Sequence, residues 1–146
     1  SWLHPLKSWS LQQTRGGSLI VSPWIRTSVV DRQFLDLLEG ALSRGVQVDI
    51  AYGLDDENRP SGSDQGALDS LHRLGQKYQL LRIHHLGDTH AKILVCDHKY
   101  VVVTSFNWLS FKGDPVMPFR DERGVMVLIA DKVDEVYDSY LSRMED

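Results

Sequence analysis

Two apolar runs set three residues apart constrain this chain more than anything else in it. Ala91 to Cys96 and Tyr100 to Thr104 are rich in β-branched residues, and the Asp97-His98-Lys99 link between them has room only for a tight turn. A β-hairpin is predicted, apolar through its middle and polar at its outer ends. Side chains alternate faces along a strand, so His90, Lys92, Leu94 and Cys96 share one side of the first run. On the return run Val101, Val103, Ser105 and Asn107 share a face, with the chain leaving the sheet near Ser105. An imidazole, an ammonium, a hydroxyl and an amide at one end of a buried hairpin suit an anion.

The flanking segments supply layers for that hairpin to pack in. Ser18 to Trp24 reads as a strand stopped by Pro23. Asp31 caps a helix whose Phe34, Leu35, Leu38, Ala41 and Leu42 recur at helical spacing and which ends at Gly45. Val46, Val48 and Ile50 follow as a second strand, and strand, helix, strand in that order predicts a parallel pair. Gly53 to Gly66 is a loop. Its Asp55, Asp56 and Glu57 lack the spacing of a calcium loop and read as a solvated turn. Beyond it come a helix from Ala67 to Lys77, a strand from Leu80 to His85, the hairpin, a long loop from Leu109 to Arg123, a strand from Gly124 to Ala130, and a helix from Asp131 to Met144. The class is α/β. The opening Ser1 to Arg15 predicts a short helix ending at Gly16-Gly17, its Trp2 and Trp9 covering the core or an interface.

With 146 residues the chain makes one domain, 1–146, with 1–17 as its N-terminal helical segment. A formal charge of -4 gives no global basic footprint, so binding a nucleic acid requires a local patch. Lys112, Arg120 and Arg123, with Phe111 and Phe119 between them, could grip a strand by phosphate contact and stacking, or could simply be solvated turn charges. A single cysteine, Cys96, excludes an internal disulfide and reads as a small core residue. It suits a reducing, cytoplasmic compartment. Neither a signal peptide nor a membrane-spanning run is visible, so no membrane insertion is expected. A start without Met is what a domain excised from a longer protein would show.

Cleaving a phosphodiester requires neutralised phosphoryl oxygens, a nucleophile, and an acid for the leaving alkoxide. Lys92, Asn107 and Ser105 suit the first task. Histidine suits either of the others near neutral pH, but a single His90 cannot do both at once. Asp97 has odd parity from His90 and reads as structural, fixing the turn or nearby backbone. Adjacent His84 and His85 must point to opposite faces, and core or surface packing accounts for them better than chemistry.

The spacing His90-x-Lys92-x4-Asp97, followed by Thr104-Ser105-Phe106-Asn107 and then by Glu122, resembles the signature of the phospholipase D superfamily, and among its members the single-motif bacterial endonucleases. The chain departs from that pattern at Thr104, where the family usually has Gly. The resemblance implies a phospholipase D-like mixed sheet sandwiched between helices and a phosphodiesterase needing no metal and no cofactor. It also implies a phosphohistidine intermediate, with Glu122 orienting His90. Because the family uses two such histidines, it further implies either a homodimer with the active site on its two-fold axis or a second motif in a missing segment. A nuclease acting on DNA or RNA is the leading expectation. A phospholipid hydrolase or phosphatidyl transferase would use the same chemistry, and a nucleic-acid-binding or assembly module of low activity is a third reading.

Overall fold

The computed structural model describes residues 16–53, 64–87, 89–97, 99–104, 109 and 124–144. Six strands form one mixed sheet: β1 (Gly17–Ser22), β2 (Gln47–Tyr52), β3 (Leu81–His85), β4 (Ile93–Cys96), β5 (Tyr100–Thr104) and β6 (Gly124–Val127), in the spatial order β3-β2-β1-β4-β5-β6. β1 runs parallel to β2, and β2 to β3. The hairpin β4-β5 joins on the other side of β1, antiparallel to it, and β6 closes that edge. Every residue of β1 is buried, as a central strand covered on both faces must be.

Among the described residues three helices cover the two faces. α1 (Arg32–Ser43) and α2 (Gln65–Lys77) lie on one side, where Phe34, Leu38, Leu42, Leu71 and Leu74 meet Ile20, Val48, Ile50, Leu94 and Val102. α3 (Ala130–Met144) lies on the other, where Val133, Tyr137 and Met144 meet Leu19, Val21, Ile93, Val95 and Val101. Leu38, Leu71 and Leu94 have no exposed surface, so truncating any of them to Ala would cost about 2–5 kcal/mol.

Local chemistry sets the ends of these elements. The Asp31 carboxylate accepts from the Phe34 backbone N–H at 2.9 Å and caps α1. Gly45, at φ +86, turns the chain out of that helix into β2. The strand expected over Leu80 to His85 begins one residue later, and the helix expected at Ala67 begins at Gln65, behind Asp64. The last strand is shorter than its apolar run implied: after Val127 the chain leaves the sheet, and Leu128 and Ile129 are exposed before α3 starts. The expected N-terminal helix lies outside the described residues, and so do the expected loop's residues 54–63.

Candidate functional site

The hairpin sits where the sequence placed it, though β4 begins at Ile93 rather than Ala91, and its register sorts the polar residues more strictly than parity alone. Leu94 faces Val102 and Ile93 faces Val103, so Lys92 shares the α1-α2 side of the sheet with Thr104. The Val101 and Val103 parity set belongs to the α3 side. Strand alternation therefore does not by itself bring Ser105 and Asn107 to Lys92. A departure of the chain from the sheet after Thr104 would be needed. Ser105, Asn107, Glu122, Lys112, Arg120 and Arg123 all lie outside the described residues.

His90 and Lys92 are together at the mouth of β4, beside the carboxyl ends of β1 and β2. His90 is exposed and Lys92 half-buried. The Lys92 Nζ donates to the His90 carbonyl at 2.9 Å and lies 3.4 Å from His90 Nδ1. An ammonium can donate to Nδ1 only when that nitrogen carries no proton, which leaves the proton of a neutral ring on Nε2. For Nε2 to act as a nucleophile the proton must move to Nδ1 and find an acceptor there. The ammonium and that acceptor compete for one nitrogen.

The backbone beneath this pair is fixed from several sides. The Thr104 N–H donates to the Lys92 carbonyl at 3.1 Å, extending the β4-β5 ladder by one pair. Thr104 is buried in ordinary strand pairing, so this position makes no demand for glycine. One residue before His90, buried Thr89 donates its N–H to the Gly53 carbonyl at 2.9 Å and accepts from the Ala91 N–H at 3.2 Å. Its hydroxyl also meets that of Tyr140, on α3. Gly53 itself is at φ +118, and a Cβ there would stand 2.5 Å from His85 Cδ2 and 2.9 Å from the Gly87 nitrogen. No other residue fits. That packing, with a tilted contact on Tyr52 at 5.1 Å, accounts for His85.

A second set of bonds holds the loop after β1 against the same place. Buried Ser22 donates its hydroxyl to the Trp24 carbonyl at 3.0 Å and accepts from the Leu109 N–H at 3.2 Å, while the Arg26 N–H reaches the Leu109 carbonyl at 2.7 Å. The Trp24 ring meets His90 edge to face, with centroids 6.4 Å apart. Sequence reasoning missed Ser22, Trp24 and Thr89. A serine ending an apolar strand and a threonine before the motif histidine were the only signals, and neither is distinctive.

At the other end of the hairpin Asp97 takes φ +54, a conformation Asp tolerates better than most residues. Its carboxylate accepts from the Gly17 N–H at 3.0 Å and from the Gly16 N–H, and its own N–H donates to the Gly17 carbonyl at 2.8 Å. The motif's carboxylate thus ties the turn to the start of β1, at the opposite end of β4 from His90.

The α3 side holds a separate polar cluster that the sequence reading did not single out. Asp49 on β2 is fully buried; it accepts from Arg82 Nε at 2.7 Å, Gln47 Nε2 at 3.2 Å and the Tyr137 hydroxyl at 3.4 Å. Burial, and then the Asp49 carboxylate, push the Tyr137 hydroxyl up to about 12. His84, on the same face, is held below its usual range by burial and by Arg82. Among the described residues no three His, Cys, Asp or Glu side chains are grouped to hold a metal ion, and no helix is long and apolar enough to cross a membrane.

Comparison with known proteins agrees with this fold. Nuc, a phospholipase D family member from Salmonella typhimurium, superposes with a TM-score of 0.66 at 15% identity over 95% of this chain and 84% of its own. TrmBL2, an archaeal chromatin protein with a novel mode of DNA binding, gives 0.65 at 16% identity over 97% of this chain and 48% of its own. Phosphatidylserine synthase from Haemophilus influenzae gives 0.65 at 15% identity over all of this chain and 36% of its own. At such identities these likenesses show the fold. No curated protein sequence matches the chain. The family model described as "Cardiolipin synthase, PLD-like domain" matches residues 10–141, so the chain belongs to the phospholipase D-like family.

Proposed function

We propose that this chain is a phosphodiesterase and that its substrate is a nucleic acid. The observation that carries the reading is the His90-Lys92 pair, an exposed imidazole beside a half-buried ammonium at the mouth of the hairpin, on a backbone fixed by Thr89, Gly53 and Thr104. In this scheme the phosphate draws the Lys92 ammonium from His90 Nδ1, and Glu122 takes its place as the acceptor. Nε2, freed of its proton, attacks phosphorus while the bond to the leaving alkoxide breaks. Lys92 and Asn107, with Ser105, stabilise the phosphoryl oxygens. A second histidine gives its proton to the alkoxide and then takes one from the water that hydrolyses the phosphohistidine. Neither step calls on a metal.

The chain carries the motif once, so that second histidine is His90 of another copy, across a two-fold axis at the site, or lies in a further segment. Near-complete mutual coverage with Nuc favours the symmetric arrangement, since a fold of about this size stands as a separate chain there. Lys112, Arg120 and Arg123 are assigned to the strand's phosphates, and the compartment is cytoplasmic. The likeness to a phosphatidylserine synthase keeps a phospholipid substrate as the second reading. One sample tests both: solution mass by light scattering, beside cleavage of oligonucleotides and of phospholipid vesicles in EDTA. A dimer that cuts oligonucleotides with the chelator present, and loses that activity in His90→Ala, supports the reading. Vesicle hydrolysis alone transfers it to lipid, and full nuclease activity in His90→Ala overturns the mechanism.

A further inference from the structure

We infer that Trp24 is a stacking platform for the nucleobase next to the cleaved phosphate, so that the strand entering the site is single-stranded or splayed there. The inference rests on the nuclease reading above and adds a substrate form to it. Trp24 follows directly on the carboxyl end of β1, and its half-buried indole stands edge to face with His90 at 6.4 Å between centroids. A phosphate held at the imidazole therefore has an aromatic surface at the distance where its own nucleotide carries a base.

The backbone under that indole is fixed. Pro23 and Ile25 on either side are buried, Ser22 holds the Trp24 carbonyl, and Arg26 is bonded to Leu109 through its backbone and to Asp64 through its side chain. Among the described residues nothing accepts from the indole N–H, although the neighbouring polar groups are tied into bonds. A tryptophan present only to close the core would sit deeper. This one leaves part of its surface open beside the reactive group. Base-aromatic stacking tolerates any sequence, because every base has a π face, but a base inside a duplex has both faces occupied.

The test compares Trp24→Ala and Trp24→Phe with the unaltered full chain on three substrates: a single-stranded oligonucleotide, its duplex, and the same strand with abasic residues flanking the cleaved bond. Stacking predicts that Trp24→Ala raises KM for the normal strand about 5- to 100-fold with little change in kcat, and that Trp24→Phe restores most of it. On the abasic strand the unaltered chain should already show the raised KM, and Trp24→Ala should add nothing. A fall in kcat of equal size on normal and abasic strands would make Trp24 a mere support for His90, and overturn the inference. A binding arm needs no turnover: on the His90→Ala background, the oligonucleotide should quench tryptophan fluorescence and lose that quenching when Trp24→Phe is added. Unchanged quenching, or a Trp24 response to anionic phospholipid vesicles but not to oligonucleotides, also overturns it. Nuclease activity with neutral Trp24 variants sinks only this inference; failure of the nuclease reading itself shows as no oligonucleotide cleavage by the unaltered chain.

Discussion

The sheet carries polar chemistry on both faces, and the two places are built in opposite ways. On the α1-α2 side, at the end of the hairpin, His90 is exposed and Lys92 half-buried, and the bonds that matter are made to and by the backbone beneath them. On the α3 side, Asp49 is shut in completely and its carboxylate is the hub, taking bonds from Arg82, Gln47 and Tyr137. An exposed group can exchange partners at little cost to folding. A buried carboxylate is costly to leave unpaired, so its partners are fixed. Activity should therefore be separable from stability along the thickness of one sheet.

The largest effect expected is on the open side. Replacing His90 by Ala removes the proposed nucleophile and should lower turnover about 1,000-fold or more, while shifting stability by no more than about 0.5 kcal/mol because the side chain is exposed. Cleavage rates and thermal melts on the same preparations check both halves. A variant that melted far below the parent would break the comparison, since His90 would then be part of the scaffold.

The converse belongs to Asp49. Truncation to Ala removes an acceptor from the Tyr137 hydroxyl, the Gln47 amide and the Arg82 guanidinium, the last on a side chain that is 37% exposed. A loss of about 2–3 kcal/mol in a urea melt is expected, with KM and kcat unchanged at temperatures where the variant is folded. Asp49→Asn, which keeps an acceptor, should lose about half as much.

These two places were not equally legible in the sequence. The hairpin announced itself through β-branched runs and a three-residue link, because period-2 burial writes directly into residue type. The helices did so through spacing and through Asp31 and Gly45. Asp49 lies in Val48-Asp49-Ile50-Ala51, where alternation alone would place it opposite Val48 and Ile50. Alternation within β2 does not say that this second face is also covered; only the family resemblance, with its sheet sandwiched between helices, implied it. That depends on α3, some 80 residues away, folding back with Tyr137. Trp24 and Thr89 were hidden for a related reason: the His90 ring beside Trp24 and the Gly53 carbonyl that takes the Thr89 N–H lie tens of residues away, and backbone carries no signature. Parity along the return strand could not place Ser105 and Asn107 against Lys92, because that depends on the register that pairs Leu94 with Val102 and on where the chain leaves the sheet.

Asp97 sharpens the comparison, since it belongs to the motif and yet sits at the far end of β4. Asp97→Ala loses the bonds to the Gly16 and Gly17 amides and puts a residue less tolerant of φ +54 in the turn. The expected cost is about 1–2 kcal/mol in a melt, with cleavage by the folded fraction unaltered. Asp97→Asn should recover part of the loss. If activity fell with stability intact, the turn would have to be counted with the open side.

The smallest effect, and the one most specific to the closed side, is a pH dependence. Tyr137 is buried against the Asp49 carboxylate, which lifts its hydroxyl from an ordinary value of 10.0 to about 12. The folded state therefore holds this proton more tightly than the unfolded chain does. Its contribution is fully present below pH 10 and falls as pH rises toward 12, where the unfolded chain has already given up a proton that the native state keeps. Tyr137→Phe removes the titration together with a long hydrogen bond of 3.4 Å, and at neutral pH should cost less than about 1 kcal/mol. Melts of the two proteins compared from pH 8 upward should converge as the parent loses its advantage. Parallel curves would mean that the hydroxyl is open to water in both states, and the α3 face would then not be the sealed counterpart of the His90 end.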